Sequence, residues 1–130
     1  MYRVLIVDDE PLVAANIRAA LEEVRDQFPV EAVAGNGREA LRLIEERRPD
    51  IVVTDILMPG MTGIDLLRAC GSRFPETRFV IVSGHAEFEY ARAAMECGAV
   101  SYCLKPLQDE DLQQAVSRAA ESLRDRRDPG

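Results

Sequence analysis

Val4-Leu5-Ile6-Val7-Asp8-Asp9-Glu10-Pro11 is the stretch that decides the fold class. A run of consecutive apolar residues, mostly β-branched, is what a strand buried on both faces of a parallel sheet requires. Two carboxylates follow where that strand would leave the sheet. Pro11, with its fixed φ and missing N–H, suits the first turn of a helix. Val13, Ile17, Ala20, Leu21, Val24 and Phe28 then recur at helical spacing. The stretch therefore reads as a strand, an acidic turn and a helix, the first unit of an alternating chain.

The same alternation continues to the C-terminus. Val30 to Ala34 reads as a second strand, and Asn36 as the N-cap of a helix carrying Ala40, Leu41 and Ile44. Ile51-Val52-Val53-Thr54 is a third strand, followed by a loop with Pro59, Gly60 and Gly63 and a helix from about Ile64 to Phe74. Phe79-Val80-Ile81-Val82 is a fourth strand, and a helix from about Glu87 to Cys97 stops at Gly98. Ser101 to Leu104 is a fifth strand, and Leu112, Val116, Ala119 and Leu123 mark a last helix. The seven prolines all fall where a periodic segment begins or ends. This alternation predicts one α/β domain, a doubly wound parallel sheet with right-handed crossovers, over residues 1–123. The charged tail Arg124 to Gly130, ending in Pro-Gly, reads as a frayed end or the start of a linker.

Composition narrows the function. The chain has 130 residues, 47% hydrophobic and 30% charged, with a net charge of -7. That charge disfavours direct nucleic-acid binding by this segment, because phosphate backbones repel it and no basic stripe compensates. No apolar run approaches the roughly 20 residues of a membrane span, and the N-terminus turns acidic too early for a signal peptide, so a cytoplasmic location is expected. Cys70, Cys97 and Cys103 show no CxxC spacing and read as reduced, buried small hydrophobes. Of the sixteen Lys and Arg residues only Lys105 is lysine. It precedes Pro106, and its compact charge on a thin stem fits a tight pocket of oxygens better than a guanidinium would.

Such a pocket is predicted by the topology. Asp8 and Asp9 follow strand one, Asp55 follows strand three, Ser83 follows strand four and Lys105 follows strand five. Ligand chemistry in a doubly wound sheet collects at the carboxyl ends of the strands, and in the order 2-1-3-4-5 these residues converge. Clustered carboxylates repel unless a cation intervenes. An oxygen-rich, partly hydrated site of this kind suits Mg²⁺. A metal there can bridge Asp55 to a phosphoryl group, and Asp55 can act as a carboxylate nucleophile. Ser83 and Lys105 can each donate to a phosphoryl oxygen. Taken singly, Asp8 and Asp9 could equally cap the first helix, and Ser83-Gly84 fits an ordinary turn.

These residues resemble the receiver domain of two-component response regulators, with a flavodoxin-like (βα)5 fold, and the resemblance spans residues 2–123. It rests on Val4-Leu5-Ile6-Val7-Asp8-Asp9-Glu10-Pro11, on Asp55-Ile56-Leu57-Met58-Pro59-Gly60-Met61-Thr62-Gly63, on Ser83-Gly84, on Tyr102 and on Lys105-Pro106. It implies that Asp55 accepts a phosphoryl group from a sensor histidine kinase. It implies that Asp9, Asp55 and the backbone carbonyl of Leu57 hold Mg²⁺, with Asp8 acting through water. Lys105 would contact the phosphoryl group, and its bond to Pro106 is expected to be cis. Ser83 and Tyr102 would form a switch acting on the face made by helix four, strand five and helix five. Leu57 and His85, the single histidine, would flank the acceptor, with His85 read as an exposed loop residue. Such a domain catalyses only its own phosphorylation and dephosphorylation, and homodimerisation on phosphorylation is expected. The stretch Ser83 to Ala91 resembles receivers that precede AraC-type helix-turn-helix effectors, which would place DNA contact in a domain beyond this chain.

Other function classes fit the residues less well. Aspartyl phosphohydrolases carry the nucleophile after strand one with a second aspartate two positions on, where this chain has Glu10. A phosphorylation-independent interaction module would tolerate loss of Asp55 or Lys105, and both are present. A flavodoxin-like cofactor carrier would find Asp8-Asp9-Glu10 repelling the flavin phosphate.

Overall fold

A computed structural model describes residues 1–84 and 88–127. Its elements alternate as expected: β1 (Val4–Val7), α1 (Pro11–Glu22), β2 (Val30–Ala34), α2 (Gly37–Arg47), β3 (Ile51–Asp55), α3 (Gly63–Cys70), β4 (Arg78–Ser83), α4 (Phe88–Glu96), β5 (Ser101–Leu104) and α5 (Asp109–Arg127). The five strands form one parallel sheet in the order β2-β1-β3-β4-β5. His85, Ala86 and Glu87, including the expected start of the fourth helix, lie outside the described residues, as do 128–130.

Side-chain alternation along the strands divides the interior into two layers. Val4, Ile6, Ile51, Val53, Val80, Val82 and Cys103 pack against Ile17 and Leu21 of α1 and against Leu112, Val116 and Leu123 of α5. Leu5, Val7, Val52, Phe79 and Ile81 point the other way, onto Ile44 of α2, Leu66 of α3 and Ala94 of α4. Strands covered on both sides have no polar face, hence their continuous apolar runs.

The structure differs from the sequence reading mainly at helix ends. α1 stops at Glu22, and Val24 and Phe28 reach the core from a following series of turns. Pro29 disfavours helical backbone at Phe28, and the last turn tightens, with Val24 N–H donating to Leu21 O at 3.0 Å. α3 ends at Cys70, not Phe74, because Gly71 adopts φ +46 and a 3-10 turn follows over Gly71–Arg73. α5 runs on through Arg124 to Arg127, residues expected to fray. Cys70 and Cys103 are buried, and burial pushes each thiol up to about 11, which leaves them inert. Cys97 is exposed, contrary to expectation, because it follows the last turn of α4 on the solvent side.

Helix starts at the site's rim are well capped. Asn36 Oδ1 accepts the Glu39 N–H at 2.8 Å. Thr62 and Asp65 form a reciprocal capping box, each bond 3.1 Å long, that fixes how the chain enters α3.

Candidate functional site

Asp55 and Ser83 are the last residues of β3 and β4 and do not merely follow them, so the sheet ladder holds their backbones. The Asp55 side chain is 3% exposed. Its Oδ1 accepts the Ile56 N–H at 2.8 Å, and its Oδ2 lies 3.4 Å from Lys105 Nζ. Lys105 is anchored in turn by its own N–H, which donates to Ser83 O at 2.8 Å and continues the pairing of β4 with β5. The Lys105-Pro106 peptide is cis.

Asp8 enters from β1. Its N–H donates to Ala34 O at 3.0 Å, and its Oδ1 accepts the Glu10 N–H at 2.8 Å. Its Oδ2 is buried and, among the described residues, has no hydrogen-bond partner. Neither acid caps α1: the N-cap residue is Glu10, without a side-chain cap bond. Asp9 is exposed, and carboxylate oxygens of Asp8, Asp9 and Asp55 all lie within 4.8 Å of one another.

Electrostatics follow from this crowding. Burial pushes the Asp8 carboxyl up to about 6 from an ordinary 3.8. The Glu10 N–H and Lys105 oppose that rise, while Asp55 and Asp9 add to it. Burial alone would lower the Lys105 ammonium, but Asp55 and Asp8 outweigh it and hold its proton more tightly than usual. Clustered carboxylates with a buried, unpartnered oxygen are a donor set that fits a hard, oxygen-seeking cation.

The other predicted residues that are described fall on adjoining elements. Leu57 is 40% exposed beside it. Gly63 brings the start of α3 against the backbone of β3: its N–H donates to Ile56 O at 2.8 Å, and a Cβ there would sit 2.5 Å from Asp55 O. Ser83 belongs to the layer facing α3 and α4, whereas Asp55 belongs to the layer facing α1 and α5. Ser83 Oγ is fully buried and, among the described residues, without a hydrogen-bond partner. Tyr102, on the edge strand β5, points outward and is 40% exposed. The expected loop position of His85 lies outside the described residues. Sequence reasoning gave the turn between β2 and α2 no part in the site. Yet Ala34, the last residue of β2, holds the Asp8 backbone, and Gly37 abuts Met61 of the loop that follows Asp55. The available signal for the latter was a glycine at the first position of α2, where most residues make better helices.

The family model described as "Response regulator receiver domain" matches residues 4–117. The chain belongs to that family. Among receivers of known structure, it superposes with a TM-score of 0.87 and 31% identity on the REC domain of AraT, a response regulator from Geobacillus stearothermophilus, covering 97% of this chain and 98% of that one. It is 33% identical over 124 residues to the transcriptional regulatory protein YesN of Bacillus subtilis, covering 95% of this receiver and 34% of that protein. It is 38% identical over 117 residues to the positive alginate biosynthesis regulatory protein of Pseudomonas aeruginosa, covering 90% and 46%. The receiver thus spans less than half the length of these curated relatives, which are named as regulators of transcription or biosynthesis. No helix among the described residues is long and apolar enough to cross a membrane.

Proposed function

We propose that Asp55 accepts a phosphoryl group from the phosphohistidine of a sensor histidine kinase. The observation that carries this reading is the buried Asp55 carboxylate, set between the Lys105 ammonium at 3.4 Å and the acids Asp8 and Asp9. An Asp55 oxygen attacks phosphorus as the P–N bond breaks. The imidazole nitrogen leaves with the electron pair and takes up a proton. Lys105 donates to one phosphoryl oxygen, and Ser83 Oγ, whose hydroxyl is buried without a partner among the described residues, donates to another. Asp9, Asp55 and the Leu57 carbonyl would hold Mg²⁺, with Asp8 acting through water. The ion supplies neutralisation of the charge gathered on the transferring group. Hydrolysis of the aspartyl phosphate by water resets the domain.

The output is carried by the face of α4, β5 and α5. Tyr90, Met95, Tyr102 and Leu104 are exposed large hydrophobics there, beside a groove lined also by Asp111, Gln114 and Arg118. Ser83 shifts toward the phosphoryl group, and Tyr102 turns inward to fill the space. The altered face pairs with a second copy, in the cytoplasm. Transcription is then controlled through a DNA-binding effector outside residues 1–123, of AraC type by resemblance, with Arg124–Gly130 opening the connection.

Incubation with Mg²⁺ and a small phosphodonor, followed by intact-mass measurement, tests this. A gain of one phosphoryl group that chelation prevents is expected, and no adduct with any donor would sink the reading.

Lys105→Arg should still permit the adduct but transmit it poorly. The wider guanidinium cannot take the ammonium's place beside Asp55 Oδ2. Loss of one charge-assisted hydrogen bond, about 1.5–3 kcal/mol, shifts the switched population by roughly tenfold or more. NMR shifts of β5 and α4 amides in the phosphorylated variant measure it, and a wild-type pattern would refute the selection of lysine.

A further inference from the structure

We propose that Gly37 is a positioning residue of the Mg²⁺ site, acting through Met61 on the loop between β3 and α3 that carries the Leu57 carbonyl. The inference rests on the phosphoacceptor reading above and extends it to a turn that contributes no ligand. Gly37 opens α2, and a Cβ at this position would lie 2.7 Å from Met61 Cβ, 2.8 Å from Met61 Cγ and 3.0 Å from Met61 O. Real Cβ atoms do not approach that closely, so any side chain at 37 displaces Met61, backbone included. Thr62, the next residue, is tied into its capping box, and Gly63 is held against Ile56 O. With its far end fixed, the loop must take up the displacement between Leu57 and Met61.

The same turn also reaches the other arm of the site. Ala34, immediately before Gly35, accepts the Asp8 N–H at 3.0 Å. Ala34 thus holds the Asp8 backbone and Gly37, three residues on, abuts the acceptor loop, so the close contact at Gly37 sets the spacing between two groups that would surround the cation. Gly37 has an ordinary backbone conformation, since among the described residues the positive-φ glycines are Gly60, Gly71 and Gly98. Alanine at 37 should thus favour the helix itself. A weaker metal site in that variant cannot be ascribed to a weaker α2.

Titration calorimetry of Mg²⁺ into the metal-free protein, paired with thermal unfolding without Mg²⁺, tests the proposal. Gly35→Ala is the control, because a Cβ there would meet only Glu39 Oε2, at 3.9 Å. It should bind as wild type does. Gly37→Ala should bind about tenfold more weakly, the scale of groups that orient metal ligands. Met61→Gly, which removes the other half of the contact, should also weaken binding. The double variant should recover affinity beyond either single one, because the alanine fills the space the methionine leaves. A folded Gly37→Ala with wild-type affinity, or losses that simply add, would overturn the proposal. Should Gly37→Ala not fold, Met61→Gly and the double variant decide it: no recovery refutes it. If wild type itself binds no Mg²⁺, the phosphoacceptor reading fails first, and this one with it.

Discussion

Asp55→Asn should take up no phosphoryl group from any donor, with the rate of adduct formation falling by roughly a thousandfold or more. The amide keeps the shape and can still accept the Ile56 N–H that Oδ1 accepts at 2.8 Å. It has no carboxylate oxygen to attack phosphorus, and it removes the anion beside Lys105 Nζ at 3.4 Å. The variant should fold, so the loss is chemical. Asp55 also contributes to the raised Asp8 carboxyl, after burial, so in the variant Asp8 should titrate at lower pH. Intact mass and NMR titration check the two outcomes separately, and an adduct of wild-type yield would place the acceptor elsewhere.

Asp8→Asn should stabilise the metal-free domain at neutral pH. The folded Asp8 holds its proton up to about 6, where an ordinary aspartate loses it near 3.8. Between those values the folded state binds more protons than the unfolded one, so this group's contribution to stability falls as pH rises through the window. Above it the penalty is complete: the full shift is worth about 3 kcal/mol, and after solvent screening removing the charge should recover about 2 kcal/mol. At pH 4 most of the gain should be gone, because the aspartate is then protonated when folded and nearly half protonated when unfolded. Mg²⁺ should reverse the ranking at pH 7.5: it stabilises wild type by mass action, whereas the variant has lost a charge the ion needs. Thermal unfolding at both pH values, with and without Mg²⁺, checks all the signs. A destabilised apo variant at neutral pH would mean that the Asp8 carboxylate is a structural hydrogen-bond hub and not a held charge.

Most of the architecture was legible because strands such as Val4–Val7 and Ile51–Asp55 are covered on both faces, which forces runs that no surface element carries. Helix ends were less so. The apolar period stops at Leu123, yet α5 continues to Arg127, since charged residues such as the exposed Arg124 and Asp125 extend a helix without leaving an apolar pattern. Phe28 kept its place in the core although it left the helix, because burial constrains the side chain more than the local backbone. At the site, the convergence of Asp8, Asp9, Asp55 and Lys105 followed from strand order alone. The contrast between buried Asp8 and exposed Asp9 did not, because adjacent residues leaving a strand give no hint of which turns inward. Nor did the tight approach of Gly37 to Met61, which depends on how two loops meet.

The single lysine has a practical corollary. Lysine-selective isotope labelling of this chain would yield one side-chain ammonium resonance, from a group 27% exposed and 3.4 Å from the Asp55 carboxylate. No background from other lysines would overlap it. The domain thus carries a native spectroscopic probe at its acidic pocket, able to test the proposed cation and phosphoryl occupancy in real time without a foreign tag.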